Sequence, residues 1–445
     1  MKLAIPKERR ANELRVAATP DTVKKFKALG LDVVVETGAG LGAAITDQAY
    51  EAAGASIAPD VKATVSDADI VLKVQRPLGP GEGDVDEMAL LKPGSTLVAV
   101  LSPHADKARI AAYGAANIDA FAMEFMPRIT RAQSADVLSS QSNLAGYRAV
   151  LEAAYVFGRA FPMMMTAAGT VPPARALIMG AGVAGLQAIA TARRLGAVVS
   201  ATDVRPATKE QVESLGGTFV AVMDEEFQQA QTAGGYAKEM SAEYQAKQKA
   251  LIAETIKKQD IVITTALIPG RKAPILVTDD MLRSMKQGAV LVDMAVEQGG
   301  NIEGAVPGEV VEKYGVKIVG HVNLPSRIPV DSSALYAKNL LTFLTPFIKD
   351  GKLEFNWDDD LVKGTALTRS GRVVHPSFVT DAAPAAPAPS AAQPETDQSV
   401  QATPPSTEAG EEKPEVIKVK PAKPDGTPEG QSEKSQDGGT PSTGT

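Results

Sequence analysis

The chain of 445 residues contains no cysteine, only 4% aromatic residues and no strong excess of charge of either sign. The absence of cysteine excludes disulfide bonds, thiolate-held zinc and a cysteine nucleophile, and we expect no metal site. Residues 381–445 contribute most of the net charge of −7, so the rest of the chain offers no basic surface and no nucleic-acid partner is expected. The least polar region, residues 160–192, is interrupted by Arg175 and by several prolines and glycines, which excludes a membrane span of about 20 apolar residues there.

Short apolar runs, rich in β-branched residues, alternate with helical patterns along most of the chain. This alternation predicts parallel sheets with helices on both faces. We therefore expect an α/β fold with two Rossmann-like, doubly wound parallel-sheet domains. The strands of the first domain are predicted at 2–6, 32–37, 69–75, 96–101 and 118–124, and those of the second at 175–180, 198–203, 219–222, 261–267, 289–295 and 316–321.

Two long helical patterns, at residues 139–161 and 332–348, suggest how the domains are divided. The second follows the last strand, and we expect it to return to the first domain. The expected division is 1–139 with 329–380 for the first domain and 140–328 for the second. Residues 381–445 hold 11 of the 30 prolines and no aromatic residue, so we expect a disordered tail. Its apolar segment 414–421, PEVIKVKP, is interpreted as incidental, with a docking motif as the alternative.

A glycine-rich turn in RALIMGAGVAGLQAIATARRLGAVVSATDVR carries the strongest chemical signal. Gly180, Gly182 and Gly185 fit the dinucleotide pattern, in which they allow a tight turn, close backbone approach to a pyrophosphate, and close helix packing. The following helix would offer its N-terminus to the phosphates. Asp203, at the end of the next strand, would bind ribose hydroxyls and repel a 2′-phosphate, which favours NAD(H) over NADP(H). Arg205 is a complication, because an Arg there can serve NADP(H) or lie over the adenine.

A polar cluster, RAQSADVLSSQSNLAGYRAV at residues 131–150, precedes an apolar helix, and Arg128 stands just upstream. Taken alone, this segment is compatible with a helix-entry loop in which Ser142 and Asn143 cap the helix. A second polar stretch, residues 224–247, forms a long insertion in which Gly234 and Gly235 would permit hinge motion. Long loops of this kind are often functional, although an exposed helix interrupted by two glycines is the alternative.

Long motifs extend over residues 1–380, among them AIPKERR, KVQRP, MPRITRAQSADVLSSQSNLAGYRAV, TAGGYAKEM and TTALIPG. Together they resemble the NAD(H)-binding subunit, or domain I, of the proton-translocating NAD(P)+ transhydrogenases. The resemblance implies that the polar cluster positions the nicotinamide end of the nucleotide, with Asp136 paired with Arg128 and Gln133 reaching the nicotinamide ribose. The residues that this implies are Arg128, Gln133, Asp136 and Ser139 at the nicotinamide, Gly235, Tyr236 and Met240 in a loop that closes over the nucleotide, and Val183, Val204, Ala266 and Leu267 beside the glycine turn.

The same resemblance implies an oxidoreductase that passes hydride from bound NADH to NADP+ on a partner, the beta subunit. Separate membrane subunits, including a membrane-spanning alpha-type subunit, would couple this exchange to proton translocation. The expected state is a homodimer, cytoplasmic and peripheral on the cytoplasmic face of the inner membrane. Hydride exchange between two nicotinamides requires aligned rings and exclusion of water, but no proton donor at the site.

The main alternative is an alanine-dehydrogenase-type enzyme, which shares this architecture and needs a general acid or base. Lys73 matches a family lysine and Arg15 matches the arginine that holds the substrate carboxylate, but Val100 stands where the family has a histidine. The histidines present are His104, His321 and His375, and the last two are interpreted as structural. A third possibility is a nucleotide-sensing protein without turnover, which NADH oxidation upon addition of an NADP-binding partner would exclude.

Overall fold

The computed structural model describes residues 1–229, 240–268 and 270–379, together with a short strand at 415–416. It has the expected α/β fold with two large sheets of parallel strands, the second of which also contains antiparallel strands at one edge. Within the described residues, no helix is both long and apolar enough to cross a membrane.

The first sheet has six strands, all parallel, in the order β3-β2-β1-β4-β5-β6. The strand order changes direction at β1: β2 and β3 lie on one side of it, and β4, β5 and β6 lie on the other. Doubly wound sheets bind ligands at this switch point, between β1 and β4. The strands are β1 (Lys2–Ile5), β2 (Asp32–Glu36), β3 (Ser56–Ala58), β4 (Ile70–Gln75), β5 (Thr96–Val100) and β6 (Asp119–Ala122). The helices are α1 (Pro20–Ala28), α2 (Asp47–Ala52), α3 (Val61–Val65) and α4 (Lys107–Ala115).

Local sequence explains the start and the end of α1. The Thr19 side chain accepts a hydrogen bond from the backbone N–H of Thr22, and the Thr22 hydroxyl bonds back to Thr19, which completes a capping box. Pro20 occupies the first turn, where it loses no intrahelical bond. The helix ends just before Gly30, whose φ of 85° suits glycine. Local sequence therefore determines both ends of this helix.

A 20-residue helix, α5 (Val137–Val156), leads from the first sheet to the second. It crosses the helix that follows the glycine turn, α6 (Val183–Arg194), so closely that a Cβ on Gly146 would lie 2.0 Å from the carbonyl oxygen of Ala184. Only glycine fits at this crossing, because any side chain there would overlap the backbone of α6. Between the two helices, β7 (Met164–Thr166) and β8 (Gly169–Val171) form an exposed hairpin.

The second sheet has the order β11-β10-β9-β12-β13-β15-β14-β20. Its strands are β9 (Arg175–Met179), β10 (Val198–Thr202), β11 (Thr218–Phe219), β12 (Ile261–Thr264), β13 (Val290–Asp293), β14 (Val310–Lys313) and β15 (Val316–Val319). Its remaining helices are α7 (Thr208–Ser214), α8 (Glu225–Gln228), α9 (Ala242–Ile256) and α10 (Asp279–Ser284). The strand β14, which the sequence did not indicate, runs antiparallel to β15. Of the tail at 381–445, the structure describes only β20 (Glu415–Val416), which pairs antiparallel with β14.

The chain then returns to the first sheet through α11 (Pro329–Leu344). Tyr336, Leu340 and Phe343 of this helix are fully buried in the core that also contains strands β1, β2 and β4. The segments that follow are two short hairpins, β16 (Ile348–Lys349) with β17 (Lys352–Leu353) and β18 (Thr368–Arg369) with β19 (Arg372–Val373), and between them α12 (Asp360–Thr365). The helix α11 thus joins the last third of the described chain to its first third.

Candidate functional site

The glycine turn lies between β9 and α6, where packing within the protein requires two of its three glycines. Gly180 has φ 106°, and a Cβ there would lie 2.3 Å from Oγ1 of Thr265. A Cβ on Gly185 would lie 1.8 Å from the carbonyl oxygen of Gly180. These two residues therefore allow the turn and the close approach of α6 to the sheet, as their spacing predicts.

Gly182 differs from its two neighbours, because a Cβ at this position would meet no atom within 4 Å. It is the N-cap of α6, and no side chain accepts a hydrogen bond from the first turn of that helix. The free N–H groups and the positive end of the helix dipole therefore face open space, which suits the pyrophosphate of a dinucleotide. The residues present fit the cofactor that the sequence predicts.

Asp203 follows β10 and is tightly held in this structure. Its Oδ2 accepts a hydrogen bond from the backbone N–H of Ala181 at 2.7 Å, and the Arg205 guanidinium bonds both carboxylate oxygens at 2.9 Å. The hydrogen bond to Asp203 raises the pKa of Arg205. Arg205 is thus engaged by the acid at the strand end in this structure.

Exposed apolar side chains surround the turn at the carboxyl ends of three neighbouring strands. Val183 follows β9, Val204 follows β10 and Leu267 follows β12, and between 41% and 49% of each residue is exposed. Ala266 is fixed by a residue that the sequence did not point to: its N–H donates to Oδ1 of the fully buried Asn301 at 3.1 Å, and Nδ2 of Asn301 donates to its carbonyl at 2.9 Å. The arrangement gives an apolar rim of a kind that suits the flat rings of a nucleotide.

The polar cluster lies at the start of α5. Arg128 and Gln133 are exposed, and Gln133 belongs to a short 3₁₀ helix, Thr130–Ala135. Asp136 caps α5, accepting hydrogen bonds from the Ser139 N–H at 3.0 Å and from its hydroxyl at 2.5 Å. The capping role considered for Ser142 and Asn143 therefore belongs to Asp136. The expected pairing of Asp136 with Arg128 stays a prediction.

The loop expected to close over the nucleotide is described only at its end. Gly235 and Tyr236 lie outside the described residues. Met240 is half-buried, and its carbonyl accepts a hydrogen bond from Nε2 of Gln245 at 2.8 Å. Ser241 caps α9, which fixes the point where the loop joins the second sheet's helices.

The two cations matched to alanine dehydrogenase are buried and already paired. Nζ of Lys73 lies 3.1 Å from Oε1 of Glu87 and 3.3 Å from Oε2 of Glu8. Arg15 bonds Glu13 through Nε at 2.8 Å and through a terminal nitrogen at 2.6 Å. Burial alone would raise the pKa of Glu13, but hydrogen bonds to it, chiefly from Arg15, lower that pKa to about 2. Both cations are thus neutralised by carboxylates of the chain itself.

No histidine of the described structure takes the place of Val100, the half-buried last residue of β5. The rings of His104 and His375 pack against Phe125 at centroid distances of 5.3 and 4.9 Å. Nε2 of His321 lies 3.4 Å from Oε2 of Glu152, yet burial lowers the pKa of His321. Ring packing and a contact with a carboxylate account for these side chains.

Comparisons with known proteins identify the family of this chain. The family models described as alanine dehydrogenase/PNT match residues 4–145 with the N-terminal domain and residues 149–376 with the C-terminal domain. A Rhodospirillum rubrum protein named as an NAD(P) transhydrogenase subunit alpha is 59% identical over 380 residues, which cover 85% of this chain and 99% of that protein. An alanine dehydrogenase of Methanococcus maripaludis is 30% identical, over 84% of this chain and 95% of that enzyme. The crystal structure of a transhydrogenase from Sinorhizobium meliloti matches with a TM-score of 0.76 at 57% identity, covering 84% of this chain and 100% of that chain.

Proposed function

Because this chain belongs to the alanine dehydrogenase/PNT family of oxidoreductases and to its transhydrogenase alpha subunits, we propose that it is the NAD(H)-binding subunit of a proton-translocating transhydrogenase. It holds NADH at the glycine turn and passes hydride to NADP+ bound on a partner beta subunit. The observation that carries this proposal is the pairing of Lys73 and Arg15 with buried carboxylates, which leaves neither cation free to bind an amino acid or an oxo acid.

The chemistry fits the side chains at the start of α5. Hydride exchange between two nicotinamides neither releases nor consumes a proton, so the protein needs to orient a ring, exclude water and leave one face accessible. Arg128 and Gln133 are exposed beside the capped start of α5, and Asp136 and Ser139 are bonded to each other. We assign the orientation of the nicotinamide and its ribose to these four residues.

The adenosine half of NAD(H) is assigned to the second sheet. Gly180, Gly182 and Gly185 with the N-terminus of α6 take the pyrophosphate, and Asp203 takes the ribose. Since Arg205 is held by Asp203, the carboxylate exchanges some of its contacts in this ion pair for hydroxyl contacts when the nucleotide binds. We assign the lining of the site to Val183, Val204, Ala266 and Leu267. A covering role is assigned to Met240 and to Gly235 and Tyr236, which lie outside the described residues.

The proposed assembly follows the same reasoning. NADP(H) binds the beta subunit, and separate membrane-spanning subunits, one of them of alpha type, translocate protons. The chain is cytoplasmic and peripheral on the cytoplasmic face of the inner membrane. A homodimer is supported by the hairpin β7–β8, in which Met164 and Met165 are 43% and 79% exposed, and by Met163 directly before it, which is 60% exposed. Exposed apolar groups of this kind mark contact surfaces.

We propose the same division into domains as from the sequence, with residues 1–139 and 329–380 in one unit and 140–328 in the other. The burial of α11 in the core of the first sheet supports it. The nucleotide would lie between the units, at the carboxyl ends of the strands of the second sheet.

The test is an NADH fluorescence trace of the purified chain in three steps. NADH is added first and should give a binding signal. Pyruvate and ammonium are added next, and the signal should stay constant. The NADP-binding subunit with NADP+ is added last, and the signal should then decay as NADH is oxidised.

Each other outcome selects another function. Decay at the second step would show an alanine-dehydrogenase-type enzyme, the activity of the relative that is 30% identical. A signal that survives the third step would show a nucleotide-sensing protein without turnover. Omitting NADP+ at the third step is the control, because the partner alone offers no hydride acceptor.

A further inference from the structure

The exposed Gln133 lies on a six-residue 3₁₀ helix that cannot hold its own position. Such helices are short and have poor hydrogen-bond geometry, so contacts from elsewhere in the fold determine where they lie. Ala132 and Ala135 bury the inner face of this helix, but small methyl groups fix its depth better than its rotation. A directional contact is needed to keep Gln133 in place.

Asn339 on α11 supplies that contact. Only 6% of this residue is exposed. Its Nδ2 donates to the carbonyl oxygen of Ser134 at 2.9 Å, and its Oδ1 accepts from the Ser140 hydroxyl at 2.7 Å. Ser134 directly follows Gln133, and Ser140 lies in the first turn of α5. One buried carboxamide therefore joins the chain on both sides of the Asp136 cap.

The helix that carries Asn339, α11, is held in place by buried contacts with the first sheet. Leu340 and Phe343 beside it are fully buried, and the Tyr336 hydroxyl donates to the carbonyl of Lys73 in β4 at 2.8 Å. A further bond joins the two helices, from Nε2 of Gln141 to the carbonyl of Ser332 at 3.1 Å. The position of the loop at residues 130–136 is thus fixed by contacts with the core of the first sheet.

The exposed side of the loop has a weaker contact. Arg131 forms two hydrogen bonds with Asp359, at 2.9 and 2.6 Å, but nearly half of the arginine side chain is exposed. Exposed ion pairs restrain a loop little, because water and salt compete for both partners. Of these two contacts, the buried carboxamide therefore restrains the loop more strongly.

We propose that Asn339 is a positioning residue for hydride transfer, which acts by holding residues 130–136 so that Gln133 stays aligned with the nicotinamide. The proposal rests on the proposed function, since it presumes that Gln133 acts on NADH. Asn339 touches neither nucleotide nor hydride. Its removal should therefore slow the reaction while leaving the adenosine contacts, and most of the binding affinity, intact.

The main experiment compares Asn339→Leu with Ser333→Ala in the full chain assembled with its NADP-binding subunit. Ser333 is a matched control, because it is fully buried on the same helix and accepts a hydrogen bond from Val16 N–H at 3.1 Å, away from the loop. Three quantities are measured: the NADH dissociation constant, the single-turnover rate of hydride transfer and the melting temperature.

We expect Asn339→Leu to lower the transfer rate by about 100-fold, the scale of a misplacement of about 1 Å, with the dissociation constant changed by less than about threefold. Ser333→Ala should lower the melting temperature but not the rate. Equal losses of rate and affinity in Asn339→Leu, or an equal rate loss in Ser333→Ala, would overturn the proposal.

Asn339→Asp tests the same contact if the leucine variant does not fold. Its carboxylate can accept from Ser140 but cannot donate to the Ser134 carbonyl, whereas the protonated acid can donate. Burial raises the pKa of such an acid, so the rate should recover as the pH falls. A rate that does not depend on pH more than in the wild type would contradict the proposed contact.

A double variant with Gln133→Asn separates this proposal from the proposed function. If Asn339 acts through Gln133, the two losses of rate will not be additive. Additive losses would show that Asn339 acts by another route and would overturn the inference alone. If Gln133→Asn by itself transfers hydride at the wild-type rate, the assignment of Gln133 fails, and the inference fails with it.

Discussion

Glu8 shows how much a single residue of this fold depends on its surroundings. Its Oε1 accepts a hydrogen bond from Val74 N–H at 2.6 Å, whereas its Oε2 is buried, 3.3 Å from Nζ of Lys73, and accepts no hydrogen bond. Burial raises the pKa of Glu8 to about 6, although the charge of Lys73 opposes this. Folding therefore makes Glu8 easier to protonate than it is in the unfolded chain, although the carboxylate still predominates at neutral pH.

This shift predicts a stability that depends on pH. The contribution of Glu8 is complete below its unfolded pKa of 4.5 and is lost as the pH rises through about 6. At 1.36 kcal/mol per pKa unit, the loss is about 2 kcal/mol. We expect the free energy of unfolding of the wild type to fall by most of this amount relative to Glu8→Gln between about pH 4.5 and pH 7, as measured by denaturant titration.

Glu13→Gln is the matched control, because Glu13 is a second buried carboxyl of the same cluster with the opposite shift. Its pKa is lowered to about 2, so its contribution is present above 4.5 and is lost only as the pH falls toward 2. The difference between wild type and Glu13→Gln should stay constant over the range in which Glu8 titrates. Parallel pH curves for wild type and Glu8→Gln would contradict the expected shift.

The sequence predicts candidate site residues, but it does not reveal which side chains they contact. Asp203 was expected to face the ribose, but its pairing with Arg205 depends on side-chain rotamers that spacing does not reveal. Asn301 and Asn339 escaped notice because a lone asparagine in an apolar pattern has no motif. Their roles follow from contacts such as that between Ser134 and Asn339, which are 205 positions apart.

At the scale of elements, the glycine turn allows protein stability to be separated from nucleotide binding. A Cβ at position 182 meets no protein atom within 4 Å, and the backbone there, with φ −77° and ψ −167°, suits alanine. We expect Gly182→Ala to keep its free energy of unfolding within about 0.5 kcal/mol. Its NADH affinity, measured by fluorescence, should fall by at least about tenfold, because the methyl group occupies the space for the phosphates.

Gly185→Ala is the counterpart, since its Cβ would overlap the carbonyl of Gly180 at 1.8 Å. It should lose about 1–3 kcal/mol of stability without any nucleotide present, as overpacked sites do. Wild-type NADH affinity in Gly182→Ala would show that the phosphates do not occupy the space in front of α6.

The elements that the sequence predicted well are those buried on both faces. Runs such as IVLKVQ and RALIM consist mainly of buried apolar residues because helices cover both sides of their sheet. Strands at sheet edges were less predictable. β3 has three residues, and β14 reads VVEK, too short and too polar to be distinguished from a turn.

At the scale of the whole molecule, the exposed hairpin β7–β8 is the contact surface that we expect for the proposed homodimer. Among the described residues it pairs with no other strand, and Met165 is 79% exposed. We expect Met165→Glu to weaken the dimer by about tenfold or more, since burying one such side chain contributes about 1.5–3 kcal/mol. Sedimentation equilibrium measures the change.

Val379→Glu is the control, because Val379 is 50% exposed near the end of the described first-sheet segment and should leave dimerisation unchanged. If both variants dimerise like the wild type, the hairpin is not the contact surface. The sequence could not reveal this surface, because exposure of a methionine run depends on what the rest of the fold leaves uncovered.

The crossing of α5 and α6 at Gly146 fixes the distance between the loop at residues 130–136 and the glycine turn. The loop at residues 130–136 ends where α5 begins, at Val137. The glycine turn contacts the same helix at Gly146, about 14 Å further along at 1.5 Å per residue. Continuous helix joins Val137 to Gly146, so the distance between these two residues is fixed. Under the proposed function, the site selects its nucleotide by length as well as by composition, because a mononucleotide reaches only one of these two points. One residue inserted between the two points would rotate Gln133 by about 100° around the helix axis.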